Sequence, residues 1–271
     1  MNEGGQSSTG QLLDFMIDSH PAAPKLKERA KAEGKNHFVL LTELVHALAK
    51  ERKAPFLSHL TRHYHVYPDL HGNRSPLADP RMRGMITGVA LDATTTDLTI
   101  RYLATCEAIA LQTRQIMDKM NDRGHKITSI FMSGGLVKNG ILMQLLANIC
   151  NVPVQLPFSH SASVVLGSAM LGRAAAEEQA KGLIKTQDEA EKRSHDLKDR
   201  LWAIMVRRLR LARNASRLVE IAQTEMSRPG TTVKPQADTA EHKVLEAKYK
   251  IFCESIEVQR KWRAEVDQAL A

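Results

Sequence analysis

The sequence predicts a protein of the α/β class, and three observations lead to this prediction. An apolar run at 127–132 precedes the pair Gly134-Gly135, and the apolar spacing at 141–150 is helical. Two further runs, 85–91 and 152–156, have the length and composition of strands. Helical periodicity dominates the rest of the chain, so we expect strands that are connected and covered by helices.

The composition is that of a globular protein. The chain has 271 residues, of which 43% are hydrophobic, and this is enough for one large core or two smaller ones. No apolar run approaches the roughly 20 residues that cross a bilayer, and no signal pattern stands at the start, so we expect a cytoplasmic protein without a membrane partner. Cys106, Cys150 and Cys253 match no disulfide framework or zinc site, and we interpret them as free thiols.

The net charge of +8 is diffuse, with one local cluster. The cluster consists of Arg207, Arg208, Arg210, Arg213 and Arg217. An arginine-rich helix can bind RNA or an acidic surface, but no aromatic residues alternate with these arginines and no nucleic-acid-binding motif accompanies them. We therefore do not expect a nucleic-acid partner.

The N-terminal segment 3–10 is a cluster of Gly, Ser and Thr that leads into helical apolar spacing at 12–17. A Ser or Thr within 7–9 is suited to cap this helix. A pair of prolines at 20–24 breaks the chain. The following segment, 25–53, is charged with an apolar face, and we assign it to surface helices without a chemical role.

A loop rich in turn residues spans 67–84. Loops held by a rigid scaffold often carry function, although a solvent-exposed turn is the commoner case. His63, His65 and His71 lie in or near this loop, but their spacing is irregular and no cysteine accompanies them. We therefore predict no metal site there.

The next elements are a strand at 85–91 and a long helix at 98–120. Gly88 lies within the strand, at a point where a ligand or another backbone segment could approach closely. Thr96 is the candidate cap of the helix, and Asp97 is favourable at the positive end of the helix dipole. The apolar residues of the helix fall largely along one side, which core packing explains.

The central glycine turn, 133–139, has two interpretations. Paired glycines let a ligand approach the main chain, and the free N–H groups of the following helix favour a phosphate or a nucleotide. A glycine pair after a strand is also an ordinary connection. The turn is not a Walker A loop, because no Gly-Lys-Ser or Gly-Lys-Thr follows at the required spacing, and it lacks the third glycine of a dinucleotide fingerprint.

Several segments of the chain follow the pattern of one family. They are EGGQSSTGQLLDFMIDSHP at 3–21, PDLHGNRSPLADPRMRG at 68–84, the strand and helix at 87–120, SGGLVKNGILMQLLANICNVPV at 133–154, and KYKIFCESIEVQRKWR at 248–263. Together they resemble the second domain of the FGGY carbohydrate kinases, and the ribulokinase-like branch in particular.

This resemblance implies an actin/hexokinase-type (ribonuclease H-like) fold, with a mixed sheet flanked by helices and a helical C-terminal extension. FGGY kinases contain two domains of this type and transfer the γ-phosphoryl group of Mg-ATP to a sugar hydroxyl in the cleft. Their second domain holds most of the adenosine. The implied ligands are therefore ATP or ADP, Mg²⁺ and a sugar, with a pentulose such as D-ribulose favoured.

The resemblance also assigns site residues. The implied nucleotide-binding residues are Gly134, Gly135, Asn139 and Gly88, and the implied cleft-loop residues are Gly72 and Arg74. The family's sugar-binding domain, its catalytic aspartate and its Gly-Thr-Ser phosphate loop all precede the counterpart of segment 3–10. We therefore expect that this chain is a fragment without a catalytic base, and that it is inactive as a kinase by itself.

We predict two parts, the core of an ATP-binding kinase domain at 3–176 and a helical part at 177–271. In the family, a segment like 201–205 leads almost directly to one like 225–230, so we interpret 206–224 as an insertion. The alternative function is a non-catalytic interaction module derived from the kinase domain, which would use the arginine cluster. We make no prediction of the oligomeric state.

Overall fold

The computed structural model describes residues 4–156, 165, 168, 172, 176 and 230–270. The chain divides into two compact units. The larger unit comprises Met1–Phe131, Gly135–Gln155 and Thr232–Ala271, and the second comprises Met132–Gly134 and Leu156–Thr231. The predicted insertion at 206–224 and the arginine cluster lie outside the described residues.

The described chain is mainly helical, with two small sheets. The helices are α1 (Gly10–Asp18), α2 (Ala23–Ala32), α3 (His37–Glu51), α4 (Thr95–Asp122), α5 (Gly140–Cys150) and α6 (Thr239–Ala269). The strands are β1 (His65–Tyr67), β2 (Met85–Thr87), β3 (Ile130–Phe131), β4 (Val154–Leu156) and β5 (Thr231–Val233). Short 3₁₀ turns occur at Leu57–His59 and Gly135–Lys138. Within these described parts, no helix is long and apolar enough to cross a membrane.

Helix α4 is the centre of the larger unit. It is buried along most of its length, and α1, α3, α5 and α6 pack against it. Its cap is Thr94, whose side chain accepts a hydrogen bond from the Asp97 N–H at 3.3 Å. The prediction of Thr96 as the cap is wrong, because Thr96 already lies inside the first helical turn while Thr94 has the extended backbone that a cap requires.

The two sheets contain both antiparallel and parallel pairs. Strands β1 and β2 are antiparallel, whereas β3 and β4 are parallel and joined through α5. Strand β5 extends the second sheet beside β4. The strand predicted at 152–156 begins only at Val154, because Pro153 has no N–H to donate, although its carbonyl accepts a hydrogen bond from Ile130 at 3.0 Å. The predicted α/β class with a mixed sheet is confirmed.

Helix α6 is joined to α4 by buried and half-buried charges. Nζ of Lys248 lies 2.6 Å from Glu107 on α4 and donates a hydrogen bond to the Thr61 carbonyl at 2.6 Å. Arg114 on α4 forms two hydrogen bonds with Glu246, at 2.6 and 3.0 Å. Helix α6 therefore lies in the same compact unit as α1 to α5. The division of the chain at residue 176 stays a prediction.

The loop 67–84 is fixed to α4 by the buried carboxylate of Asp69. This carboxylate accepts hydrogen bonds from the Tyr67 hydroxyl at 2.6 Å, the Asn73 amide at 2.7 Å and the Gln112 amide at 2.6 Å. Three donors compensate for the cost of burying the charge. Burial and the bond to Asp69 raise the pKa of Tyr67 far above its usual range, so its hydroxyl remains a donor.

Two of the glycines assigned to the site are required by the backbone itself. Gly72 has φ of +79°, and a Cβ there would lie 2.8 Å from the Pro80 carbonyl oxygen. Gly88 has φ of +84°, and a Cβ there would overlap the carbonyl oxygen of His63. Close approach of another backbone segment therefore accounts for Gly88. Its contact with a nucleotide stays a prediction.

We expect Gly88→Ala to lower the free energy of unfolding by about 1–3 kcal/mol, because the new methyl group forces the backbone away from His63. Gly124→Ala is the matched control. Gly124 has φ of +92°, but no described heavy atom beyond its chain neighbours lies within 4 Å of its Cβ position, so this variant carries only the cost of the positive φ. Urea unfolding measures both variants, and equal losses of stability would contradict the explanation by overlap.

Candidate functional site

The central glycine turn ends in a capped helix. Gly135–Lys138 form a single 3₁₀ turn, and α5 begins at Gly140. The side-chain oxygen of Asn139 accepts a hydrogen bond from the Leu142 N–H at 3.1 Å. The amide nitrogen of Asn139 donates to the hydroxyl of Tyr102 on α4 at 2.9 Å. The turn is therefore tied both to the helix that follows it and to the central helix.

A cavity of about 730 Å³ opens beside this turn. Gly135 and Asn139 line one side of it. Helix α1 contributes Gly10, α3 contributes Phe38, and α4 contributes Tyr102. Cavities of a few hundred cubic ångströms typically bind small molecules and cofactors, so the volume suits a nucleotide.

Three helix N-termini meet at this cavity. Gly10 is the first residue of α1, and Asn36 and Asn139 are the caps of α3 and α5. Thr9, the cap of α1, makes no side-chain capping bond, so the first N–H groups of α1 lack the partner that a cap supplies. The positive ends of three helix dipoles favour an anionic ligand such as a phosphate.

The remaining walls are largely apolar. Phe38 and Leu136 face the cavity, and such surfaces suit the flat ring of a base. Asp14 and Glu43 also line it, and Glu43 is paired with Lys35 at 2.6 Å. The cavity thus combines an apolar wall with the electropositive ends of helices, a combination that matches the two halves of a nucleotide.

Two titratable groups beneath the cavity stay neutral. Burial raises the pKa of Tyr102 far above its usual range. Burial also raises the pKa of Cys106 to about 12. Both side chains therefore keep their protons at neutral pH, and no negative charge from them opposes an anionic ligand.

The structure brings only part of the predicted site together. Gly135 and Asn139 lie on the cavity described above. Gly134 belongs to the second unit, where it has a φ of +91°. Gly72 and Arg74 line a separate, more open cavity of about 330 Å³. Gly88 is absent from the described lining of both cavities. The predicted ligand contacts of Gly134, Gly135, Asn139, Gly88, Gly72 and Arg74 stay predictions.

The described part of the chain contains no group of three or more His, Cys, Asp or Glu side chains that could hold a metal ion. Mg²⁺ in kinases is bound through one or two carboxylates together with phosphate oxygens of the substrate, rather than by a cage of protein ligands. Asp14 is the carboxylate on the cavity that has no basic partner among the described ion pairs.

The fold of this chain is of the actin/hexokinase type (ribonuclease H-like). It is similar to the crystal structure of a xylulose kinase from Rhodospirillum rubrum, with a TM-score of 0.58 and 20% identity over 96% of this chain and 40% of that one. A ligand-bound xylulose kinase from Lactobacillus acidophilus gives a TM-score of 0.53 and 17% identity over 92% of this chain and 38% of that one. These similarities confirm the predicted fold.

The chain belongs to the FGGY family of carbohydrate kinases, whose C-terminal domain matches residues 1–176. It is 38% identical to a D-ribulokinase from Saccharomyces cerevisiae over 236 residues, which cover 86% of this chain and 33% of the yeast protein. It is 35% identical over 264 residues to the human FGGY carbohydrate kinase domain-containing protein, covering 97% of this chain and 40% of that protein. The predicted ribulokinase-like branch is confirmed, and the chain spans between a third and two fifths of the length of these two relatives.

Sequence interpretation missed several residues of the cavity. It assigned no chemical role to segment 25–53, yet this segment supplies Asn36 and Phe38 to the lining. It explained the apolar residues of the helix at 98–120 by core packing and did not single out Tyr102. Gly10 and Tyr102 carried a usable signal, because they lie in the family-like segments 3–21 and 87–120.

Proposed function

We propose that this chain is the nucleotide-binding domain of an ATP-dependent pentulose kinase, with D-ribulose as the favoured sugar. The observation that supports nucleotide binding is the cavity at which three helix N-termini meet beside Gly135 and Asn139. The 38% identity to the yeast D-ribulokinase supports the choice of sugar. The described cavity also favours this function over an interaction module, because a module that only contacts a partner needs no nucleotide site. The interaction module stays the alternative prediction.

In this proposal, each part of the cavity holds one part of ATP. The phosphates lie near the main chain of Gly135, where the helix dipoles favour negative charge. The adenosine lies along the apolar wall that includes Phe38 and Leu136. Gly134 and Gly88 are proposed to be nucleotide-binding residues on the basis of the family pattern alone.

The proposed reaction is transfer of the γ-phosphoryl group of Mg-ATP to a sugar hydroxyl. Such catalysis depends on positioning, on neutralising charge and on a base within reach of the acceptor hydroxyl. We propose that the base and the sugar-reading residues belong to the upstream domain of the family pattern, and that this chain alone has no kinase activity. Gly72 and Arg74 would then lie on the side of the cleft that faces the sugar.

Titration calorimetry with ATP and with ADP tests the proposal, together with a pentulose phosphorylation assay on the same sample. We expect both nucleotides to bind and no sugar phosphate to form, because the chain holds the nucleotide but not the base. Circular dichroism establishes that the sample is folded. A folded sample that binds neither nucleotide would contradict the proposed function, and turnover would show that the catalytic base lies within this chain.

A further inference from the structure

Tyr102 lies beneath the cavity and joins α4 to the cap of α5 through its hydroxyl group. The side chain is buried on α4, with 1% of the residue exposed. Its hydroxyl accepts a hydrogen bond from the Asn139 amide at 2.9 Å. The side-chain oxygen of Asn139 in turn accepts the Leu142 N–H at 3.1 Å. The two hydrogen bonds thus connect the central helix to the first turn of α5 through one side chain.

These contacts leave the side chain of Asn139 little freedom. Its oxygen accepts the Leu142 N–H, and its nitrogen lies 2.9 Å from the Tyr102 hydroxyl and 3.6 Å from the sulfur of Cys106. An asparagine amide has two N–H donors, and the two contacts account for both. The Tyr102 hydroxyl is the stronger acceptor, because thiol sulfur accepts only weakly. Removing this hydroxyl would leave the amide of the half-buried Asn139 poorly satisfied.

We propose that Tyr102 is a positioning residue for the nucleotide. Its hydroxyl holds the amide of Asn139, and thereby the turn Gly135–Lys138, in the conformation that binds ATP. A turn that is already ordered in its binding conformation loses less conformational entropy when the ligand binds. The inference rests on the proposed function, and it concerns the hydroxyl alone, because the packing of the aromatic ring is the same in phenylalanine.

A double-mutant cycle in ATP binding, measured by calorimetry on the full chain, tests this inference. The variants are Tyr102→Phe, Asn139→Ala and the two combined. We expect Tyr102→Phe to raise the Kd for ATP by about fivefold to tenfold, the range for one lost hydrogen bond. Because the hydroxyl acts through Asn139, the combined variant should bind ATP no more weakly than Asn139→Ala alone. Additive effects would overturn the inference, and so would an unchanged Kd in Tyr102→Phe.

Tyr67→Phe is the matched control. It also removes a buried hydroxyl, but from a hydrogen bond to Asp69 and outside the described lining of the cavity. We expect it to lower the unfolding midpoint while leaving the Kd for ATP unchanged. An equal rise of Kd in Tyr67→Phe and Tyr102→Phe would show that general loss of stability is the cause, and would overturn the positioning role.

A second variant keeps the inference testable, and the wild-type Kd separates the inference from the function on which it rests. If Tyr102→Phe does not fold, Asn139→Ser removes the amide that donates to the same hydroxyl and keeps a side-chain oxygen that can cap α5, and we expect a Kd raised about fivefold to tenfold. An unchanged Kd in that variant would overturn the inference. If the wild-type chain binds no ATP, both the function and the inference are overturned. If the wild-type chain and Tyr102→Phe bind ATP with the same Kd, only the inference is overturned.

Discussion

Gly135→Asp is expected to abolish measurable ATP binding while the fold stays intact. Gly135 lies on the wall of the cavity, and no described heavy atom beyond its chain neighbours lies within 4 Å of the position that a Cβ would take. Its φ is not among the positive ones, so a side chain fits without backbone strain. The new carboxylate would stand where the proposal places phosphates. Two like charges 4 Å apart repel by about 4 kcal/mol at an effective dielectric constant of 20, which is more than a hundredfold in affinity.

Gly135→Asn is the matched control, because asparagine has the size of aspartate without its charge. We expect it to weaken ATP binding by about tenfold or less, the loss of roughly one good contact. Calorimetry at low and high salt should show a difference between the two variants that shrinks as ionic strength rises. If both variants weaken binding equally at every salt concentration, the phosphates do not lie beside Gly135.

Lys248→Met is expected to cause the largest loss of stability among the variants considered. The side chain of Lys248 is 4% exposed and that of Glu107 is 1% exposed, and Nζ of the lysine lies 2.6 Å from the carboxylate. Thr61 completes the cluster, because its hydroxyl donates to Glu107 at 2.6 Å and accepts from Lys248 at 3.0 Å. Removing the lysine leaves a buried carboxylate without its cation, which costs about 3–5 kcal/mol. Urea unfolding at neutral pH measures this loss.

The combined variant Lys248→Met, Glu107→Leu serves as the control for the lysine variant. It removes both charges, and a buried ion pair replaced by apolar side chains of similar volume often loses little stability. We expect it to be more stable than Lys248→Met alone. If the combined variant is less stable than the single one, the lost stability comes from packing of the lysine chain and not from the unpaired carboxylate.

Local signals predicted the start of α5 well. The apolar run, the glycine pair and the helical spacing all lie within 127–150, so the strand, the turn and the helix could be located without knowledge of any distant residue. The cap of α4 was harder, because three successive threonines offer the same hydroxyl and only the backbone angles select Thr94. Signals of this kind act over a few residues, and they are ambiguous where neighbouring residues are alike.

The cavity could not be predicted in this way. Its lining comes from four places along the chain: Gly10 on α1, Phe38 on α3, Tyr102 on α4, and the turn that ends at Asn139. None of these residues is unusual in its local context, and an aromatic residue in a helical pattern is ordinarily part of a core. Their convergence follows from how α1, α3 and α5 pack around α4.

The sequence by itself determined the family, the α/β class and the glycine turn with the helix that follows it, because family motifs and periodicity are properties of short segments. Only the tertiary structure decided that Gly88 must be glycine beside His63, that Lys248 neutralises Glu107, and that the hydroxyl of Tyr102 holds Asn139. Each of these depends on a contact between residues far apart in the chain. Such contacts are set by the packing of whole helices around a common core, which no local pattern encodes.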